Sequence, residues 1–294
     1  MTQDGKTRFL TGFMMGLVTV TSLILGGFWF FAVVALCILT GLREYVKILN
    51  NKGFYPFYRL SFVVVLLLMF ASYFGHYHYI PAIIGAGVIL AFLAVLFKGR
   101  QPYIANVATT VLGFLFTWLP FYLVIIRESG DTVSLFNFHF KSGLYFTLFV
   151  FFTILATDTA AYFFGKRFGK TKLAAVISPK KTVEGAAFGT FFALITGMII
   201  GTLIGLPWYH SLILGTLVTL FAQLGDLSES LIKRDAGVKD SGDSLPGHGG
   251  ILDRADSYLF SAPIAYLYIN YFIFSSPAQQ FMNLWSSIKN VIGL

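Results

Sequence analysis

Apolar runs of 17 or more residues recur along this chain, separated by short charged or glycine-rich breaks. In a bilayer every backbone N–H and C=O must be satisfied internally, so runs of this length read as membrane-spanning helices. A membrane barrel would need short alternating strands instead. Nine spans are expected, at about 9–26, 28–43, 60–75, 79–97, 104–126, 143–165, 185–205, 209–228 and 257–274. The fold class is therefore all-α, a polytopic integral membrane helical bundle of about nine transmembrane helices. Gly26-Gly27 divides the first two runs, which are expected to form a tight helical hairpin. Were they one bent helix, the count would fall and the topology would invert. No small-residue cleavage pattern follows the first run, so it reads as a retained helix. The single Cys37 excludes an intrachain disulfide and lies in an apolar run.

The basic residues give the orientation. With the N-terminus cytoplasmic and nine spans, eighteen of the 21 Lys and Arg fall on cytoplasmic segments. Only Arg127, Lys141 and Lys289 fall outside. That asymmetry obeys the positive-inside rule. The net charge of +8 then reflects membrane topology and anionic phosphate partners, and no nucleic acid partner is expected.

Only 12% of the chain is charged, yet residues 223–257 (QLGDLSESLIKRDAGVKDSGDSLPGHGGILDRADS) hold seven acids. The same window carries Lys233, Arg234, Lys239, Arg254 and His248. It lies between two apolar runs, where charge is costly and marks function. Asp226, Glu229, Ser230 and Lys233 are spaced to share one face of a helix. Asp253 and Asp256 open the last apolar run, and between the two groups lies a glycine-rich loop, Gly242 to Gly250. Glycines there would let backbone approach a polyphosphate closely. Carboxylates interleaved with Lys and Arg suit a metal–phosphate substrate, because oxygen ligands hold a hard cation and the bases neutralise phosphate.

A second charged constellation runs from 157 to 185, TDTAAYFFGKRFGKTKLAAVISPKKTVEG. Asp158 lies within an apolar stretch, and an intramembrane acid normally faces the bundle interior. Lys166, Arg167, Lys170 and Lys172 follow. Ser178-Pro179 is expected to cap and begin a short helix, with Lys180 and Lys181 in its first turn. A snorkelling positive-inside cluster and a phosphate cradle both fit these bases.

The pattern Ser230-x-x-Lys233-Arg234-x4-Lys239-Asp240…Leu245-Pro246-x-His248-Gly249-Gly250-x-x-Asp253-Arg254-x-Asp256 resembles the signature of the phosphatidate cytidylyltransferases, the CDP-diacylglycerol synthases. Ala255 is smaller than the apolar residue usual there. The pattern Asp158…Ala161-Tyr162…Gly165-Lys166…Phe168-Gly169-Lys170…Ser178-Pro179-Lys180-Lys181-Thr182…Glu184-Gly185 is similar to the same family. The resemblance implies that CTP and phosphatidic acid give CDP-diacylglycerol and pyrophosphate, with Mg²⁺ as cofactor and a second cation, K⁺ being one candidate. On it, Asp226, Asp253 and Asp256 are expected as metal ligands. Lys233, Arg234, Lys239, Asp240, His248 and Arg254 are expected as catalytic residues. Asp158, Lys166, Ser178, Lys180, Lys181 and Ser230 are expected to bind substrate. The implied location is the inner (cytoplasmic) membrane, with the active site facing the cytoplasm.

The rest of the chain carries weaker signals. Residues 44–59 (EYVKILNNKGFYPFYR) are expected as an interfacial anchor, and His76–Tyr79 as an interfacial outer turn. Residues 133–141 alternate like a short outer strand or an interfacial loop. Gly185, Gly189, Ala193, Gly197, Gly201 and Gly205 form a small-residue face on the seventh span. Close packing within the bundle and a homodimer both fit that face. Three regions result: membrane helices over 1–140, a catalytic membrane domain over 141–276, and a C-terminal amphipathic segment over 277–294 lying on the outer surface. Two rival functions remain open. A CTP-dependent polyprenol or lipid kinase would use the same parts. An ion-coupled transporter would use Asp158 and Asp226, but it predicts inverted repeats, and both charged motifs lie in the second half.

Overall fold

A computed structural model of the chain describes residues 3–135 and 138–274. The expected C-terminal amphipathic segment lies outside the described residues. The helices are α1 (Gln3–Leu25), α2 (Gly27–Asn51), α3 (Tyr58–Tyr73), α4 (Ile80–Lys98) and α5 (Tyr103–Trp118), then α6 (Tyr122–Glu128), α7 (Gly143–Phe168), α8 (Val183–Leu203), α9 (Trp208–Asp235) and α10 (Leu252–Tyr268). A 3-10 turn at Leu119–Phe121, containing Pro120, joins α5 to α6 as one span, and a π-helical turn at Ile269–Phe274 extends α10. Each of the nine expected runs thus falls on a helical segment. Six described helices are long and apolar enough to cross a membrane, and Leu10–Leu25 and Tyr58–Tyr73 are shorter apolar helices. The chain is a predominantly helical, multi-pass membrane protein.

The first two runs form a hairpin. Gly26 has φ +65° and its Cα faces the Arg127 guanidinium so closely that no side chain fits. Arg127 caps the end of α1, donating from Nε to the Leu23 carbonyl at 2.7 Å and from a terminal nitrogen to the Ile24 carbonyl at 3.0 Å. Glu128 accepts from Gly27 N at 2.6 Å and so caps the start of α2. The two helices are antiparallel, because Gly12 of α1 meets His248 while Gly41 of α2 meets Leu252, at one end of the bundle.

The small-residue face of α8 is filled within the chain. Gly185, Gly189, Ala193, Gly197 and Gly201 are all buried. A Cβ on Gly189 would stand 2.9 Å from the Thr157 carbonyl of α7, and one on Gly197 would stand 3.0 Å from the Phe149 ring. Of the two uses the sequence left open for this face, close packing inside the bundle is the one seen. Polar cross-ties reinforce it: Thr157 and Thr219 share a 2.9 Å hydrogen bond between α7 and α9. Gln223 of α9 donates to Thr190 of α8 at 3.1 Å.

Two hairpins of strand complete the fold. β1 (Thr132–Leu135) pairs antiparallel with β2 (Phe138–Lys141), in the segment expected as an outer strand or loop. β3 (Lys172–Ala174) pairs antiparallel with β4 (Ser178–Thr182). The second pair corrects the expected helix start at Ser178-Pro179. Thr182, four residues later, is the cap, its side chain accepting from Gly185 N at 3.2 Å. Two lysines in a first helical turn would face the positive end of the helix dipole. In a strand they alternate, leaving Lys180 exposed and turning Lys181 inward.

Residues 44–59 are a further correction, since they are more than a surface anchor. Glu44 and Tyr45 are 4% and 0% exposed, and Tyr45 donates to the Thr109 carbonyl at 3.1 Å. Tyr55 N donates to Asn106 Oδ1 at 2.7 Å, and Lys52 pairs with Asp235.

Replacing Gly189 with Leu is expected to force α7 and α8 apart and to cost about 1–3 kcal/mol, the usual price of overpacking. Thermal unfolding of the detergent-solubilised protein reads this as a lowered Tm. Phe191→Leu, at a position 57% exposed, is the matched control. Equal Tm values for the two variants would contradict the close α7–α8 contact.

Candidate active site

The charged end of the bundle is built where α9 and α10 cross. Gly225 permits the crossing, since a Cβ there would stand 2.5 Å from the Asp256 carbonyl oxygen. Asp226 and Asp256 are therefore neighbours. Asp158 joins them from α7, with Ser257 Oγ donating to Asp158 Oδ2 at 3.4 Å and to Asp256 Oδ1 at 3.4 Å. Asp256 Oδ1 also accepts from Ser257 N at 2.7 Å. The three carboxylates repel one another: Asp226 acts on Asp158, and Asp226, Glu229 and Asp158 act on Asp256. The cation in direct contact with this group is Lys181 of β4, which pairs with Asp226.

Asp253 contacts a different set of partners, Lys233 and the loop backbone. Its Oδ1 lies 2.6 Å from Lys233 Nζ, and its Oδ2 accepts from Ser241 N and Gly250 N, each at 2.9 Å. Lys233 also lies 2.5 Å from Glu229 Oε2. Seven residues separate Asp226 from Lys233, which is roughly 10 Å along a helix axis. The face expected from the spacing is real, for Glu229, Ser230 and Lys233 are buried on α9, with Asp226 half-buried at its edge. The acids nevertheless divide into a group near Lys181 and a group around Lys233. Apart from Lys233, no donor reaches either oxygen of fully buried Glu229 among the described residues.

The remaining expected residues spread around these two groups. Arg234 ties the end of α9 to the β3–β4 turn, donating from Nε to the Ile177 carbonyl at 3.2 Å and from Nη1 to the Val238 carbonyl at 2.9 Å. Arg254 folds back on the loop, its Nε and Nη2 reaching the His248 carbonyl at 3.2 and 2.8 Å. His248 packs against Gly12, and its Nδ1 has no hydrogen-bond partner among the described residues. Lys166, Lys180, Lys239 and Asp240 are exposed. Ser178 is half-buried at the start of β4, paired with Ala174. Glu184 holds the hairpin base by accepting from Lys170 N at 3.0 Å and Thr171 N at 3.1 Å.

Glu44 of α2 carried no site prediction, only its place at the start of the expected interfacial anchor 44–59. It accepts from Ser241 Oγ at 3.1 Å, Ile251 N at 3.1 Å and Leu252 N at 2.8 Å. Two of the loop glycines make room for this carboxylate: a Cβ on Gly250 would stand 2.6 Å from Glu44 Oε2, and one on Gly242 would stand 3.0 Å from Oε1. Close backbone approach was the expected reason for these glycines, and in this structure the group approached is a side chain. One signal pointed to Glu44: it is a lone acid at the edge of an apolar run.

Among the described residues no three His, Cys, Asp or Glu side chains form a ready set of metal ligands. Mg²⁺ seldom needs one, since it takes one or two carboxylates and completes its shell with water and substrate phosphate. Asp158, Asp226 and Asp256, three acids with Lys181 as their contacting lysine among the described residues, fit that use. The arrangement can hold a divalent cation on one side and phosphate on the lysines and arginines of the other.

A family model described as the cytidylyltransferase family matches residues 6–272. The chain is 38% identical over 266 residues to a phosphatidate cytidylyltransferase of Synechocystis sp., covering 84% of this chain and 90% of that one. It is 36% identical over 295 residues to the chloroplastic phosphatidate cytidylyltransferase 5 of Arabidopsis thaliana, covering 90% and 71%. It is 34% identical over 266 residues to a phosphatidate cytidylyltransferase of Staphylococcus haemolyticus, covering 88% and 96%.

The ion triad gives a stability prediction. Lys233→Met strands Glu229 and Asp253, whose side chains are 0% and 12% exposed, without their cation. Breaking a buried pair in this way costs about 3–5 kcal/mol. Adding Glu229→Gln to Lys233→Met should recover part of that loss in thermal unfolding. A single variant as stable as the parent would show that the triad is not a buried ion cluster.

Proposed function

The chain belongs to the cytidylyltransferase family, and on that premise we infer that it is a nucleotidyltransferase that condenses CTP with phosphatidic acid. The products are CDP-diacylglycerol and pyrophosphate. A phosphate oxygen of phosphatidate forms a bond to the α-phosphorus of CTP. The bond from that phosphorus to the oxygen bridging to the β-phosphate breaks, and pyrophosphate leaves with the electron pair. The observation that carries the reading is the meeting of Asp158, Asp226 and Asp256, from three separate helices, with Lys181 at the charged end of the bundle.

The attacking group needs little activation, because a phosphomonoester is largely dianionic near neutral pH, its second pKa being about 6. The obstacle is bringing two polyanions together and stabilising the leaving group, which positioning and fixed charge accomplish. Asp226 and Asp256 would hold Mg²⁺, with Asp158 beside them. Such an ion would neutralise phosphate charge on the triphosphate. A second cation such as K⁺ would draw on the same acidic group. Asp253 acts through the loop, since its hydrogen bonds and ion pair fix Ser241, Gly250 and Lys233. Lys181 and Lys180 on β4, with Lys166 at the end of α7, supply positive charge for phosphate on one wall. Arg234, Lys239 and Arg254 supply it on the loop side. The lipid enters sideways between helices, its tails staying in the bilayer. The charged end faces the cytoplasm, where CTP is, and in a bacterium the membrane is the inner one.

Three experiments test this reading. Purified protein given labelled CTP and phosphatidate should release pyrophosphate in a chelator-sensitive reaction, whereas release of CDP would favour a lipid kinase. Asp226→Asn and Asp256→Asn should each lower kcat by roughly 100-fold or more, as loss of a metal or charge-stabilising group does, without loss of membrane insertion. Turnover near the parent level in either variant removes the metal assignment. For orientation, a cysteine at exposed Asp243 should react with an impermeant reagent from the cytoplasmic side only. Labelling from the outer side alone would invert the topology.

A further inference from the structure

Glu44 lies in α2, 208 residues before one of its partners, in the half of the chain that carries no motif. Its carboxylate is 4% exposed and receives a hydroxyl and two backbone N–H groups. Those N–H groups belong to Ile251 and Leu252, the N-cap position and first residue of α10. The first N–H groups of a helix have no partner within it, and the usual remedy is a Ser, Thr, Asp or Asn at the cap. Ile251 cannot provide one, and α10 has no side-chain cap from that position. Glu44 supplies it from another helix. Asp253 takes the remaining donors, Ser241 N and Gly250 N. A negative charge at this helix start also meets the positive end of its dipole.

We infer that Glu44 is a positioning residue for nucleotidyl transfer: it fixes the 241–252 backbone, and through it the start of α10, so that Asp256 stands beside Asp226. The kinetic part of this inference rests on the proposed reaction; the hold on the loop does not. Asp256 lies one turn after Leu252, so any shift of the α10 start moves it relative to α9. The space for Glu44 is built in, because Gly250 and Gly242 leave no room for a Cβ against its two oxygens. Glu44 touches neither acidic group near Lys181 nor its lysine, so it acts only through the loop.

Glu44→Gln in the full chain keeps the shape but turns an amide NH₂ toward N–H donors. Expected are a fall in kcat of about tenfold or more with KM for CTP held within about threefold, as for a group that aligns rather than binds. Amide hydrogen exchange over 241–252 should be at least about tenfold faster, reporting local opening of the loop. Ser241→Ala, which removes one of the three bonds, should give a smaller loss of kcat. The double variant should be no worse than Glu44→Gln alone, since both act through one contact. The inference is overturned if kcat stays within twofold, if exchange is unchanged, if the two losses multiply independently, or if KM for CTP rises while kcat holds. Should Glu44→Gln not accumulate as folded protein, Ser241→Ala decides alone: lowered kcat with faster loop exchange supports the inference, and no change in either overturns it. If the parent protein makes no CDP-diacylglycerol, the proposed function falls, and the exchange comparison still decides whether Glu44 holds the loop.

Discussion

A buried lysine between two carboxylates holds the charged end of this protein together. Lys233 reaches Glu229 within its own helix and Asp253 across to α10, so one cation joins the end of α9 to the start of its neighbour. Such a group is costly to remove from water and is retained only where its partners compensate. Asp253 then spends its second oxygen on the loop backbone. Remove the lysine, and the loop, the helix start and the crossing at Gly225 lose their common tie. The acids therefore serve two ends. Those around Lys233 share that cation and tie α9 to α10. Those around Asp226 have Lys181 as their contact, and their oxygens are what a metal–nucleotide complex would meet.

The second dependence is close helix packing. Asp158 can take part only if α7 lies against the α9–α10 crossing, and α7 is held there by α8. Glycines at 185 and 189 let α8 approach the α7 backbone, and Gly197 lets it approach the Phe149 ring, to distances no larger residue permits. In lipid there is little hydrophobic drive to press apolar helices together, so close contact and shared hydroxyl hydrogen bonds must do it. The Thr157–Thr219 bond lies one residue from Asp158, and the packing and the acid's placement are thus one feature.

Much of this was legible in the chain. The nine apolar runs, the helical face of Glu229, Ser230 and Lys233, and the small-residue stripe are periodic signals, and periodicity survives in a sequence without coordinates. Pairings between distant segments are not periodic. The resemblance implied Asp226, Asp253 and Asp256 as metal ligands, but a motif says nothing of the level at which one helix crosses another. The close approach at Gly225 sets that level and brings Asp256, one turn on, to Asp226. The Ser178–Thr182 strand was misread because Ser-Pro is a common helix start. The cap that prevails is Thr182, where Glu184 also anchors the turn before it.

Glu44 shows why a motif can sit in one half of a chain while its geometry depends on the other. The loop motif is rich in glycine, which gives close approach but no rigidity of its own. Its helix start has an isoleucine where a capping side chain would stand. Left alone, that loop would sample many arrangements, and transfer between two phosphates tolerates little misplacement. A carboxylate delivered from α2 answers both defects, filling the space the glycines leave and accepting the donors the isoleucine cannot. The N-terminal helices are then more than a lipid-facing scaffold, because α2 carries the group that turns a pliant loop into a fixed wall of the site.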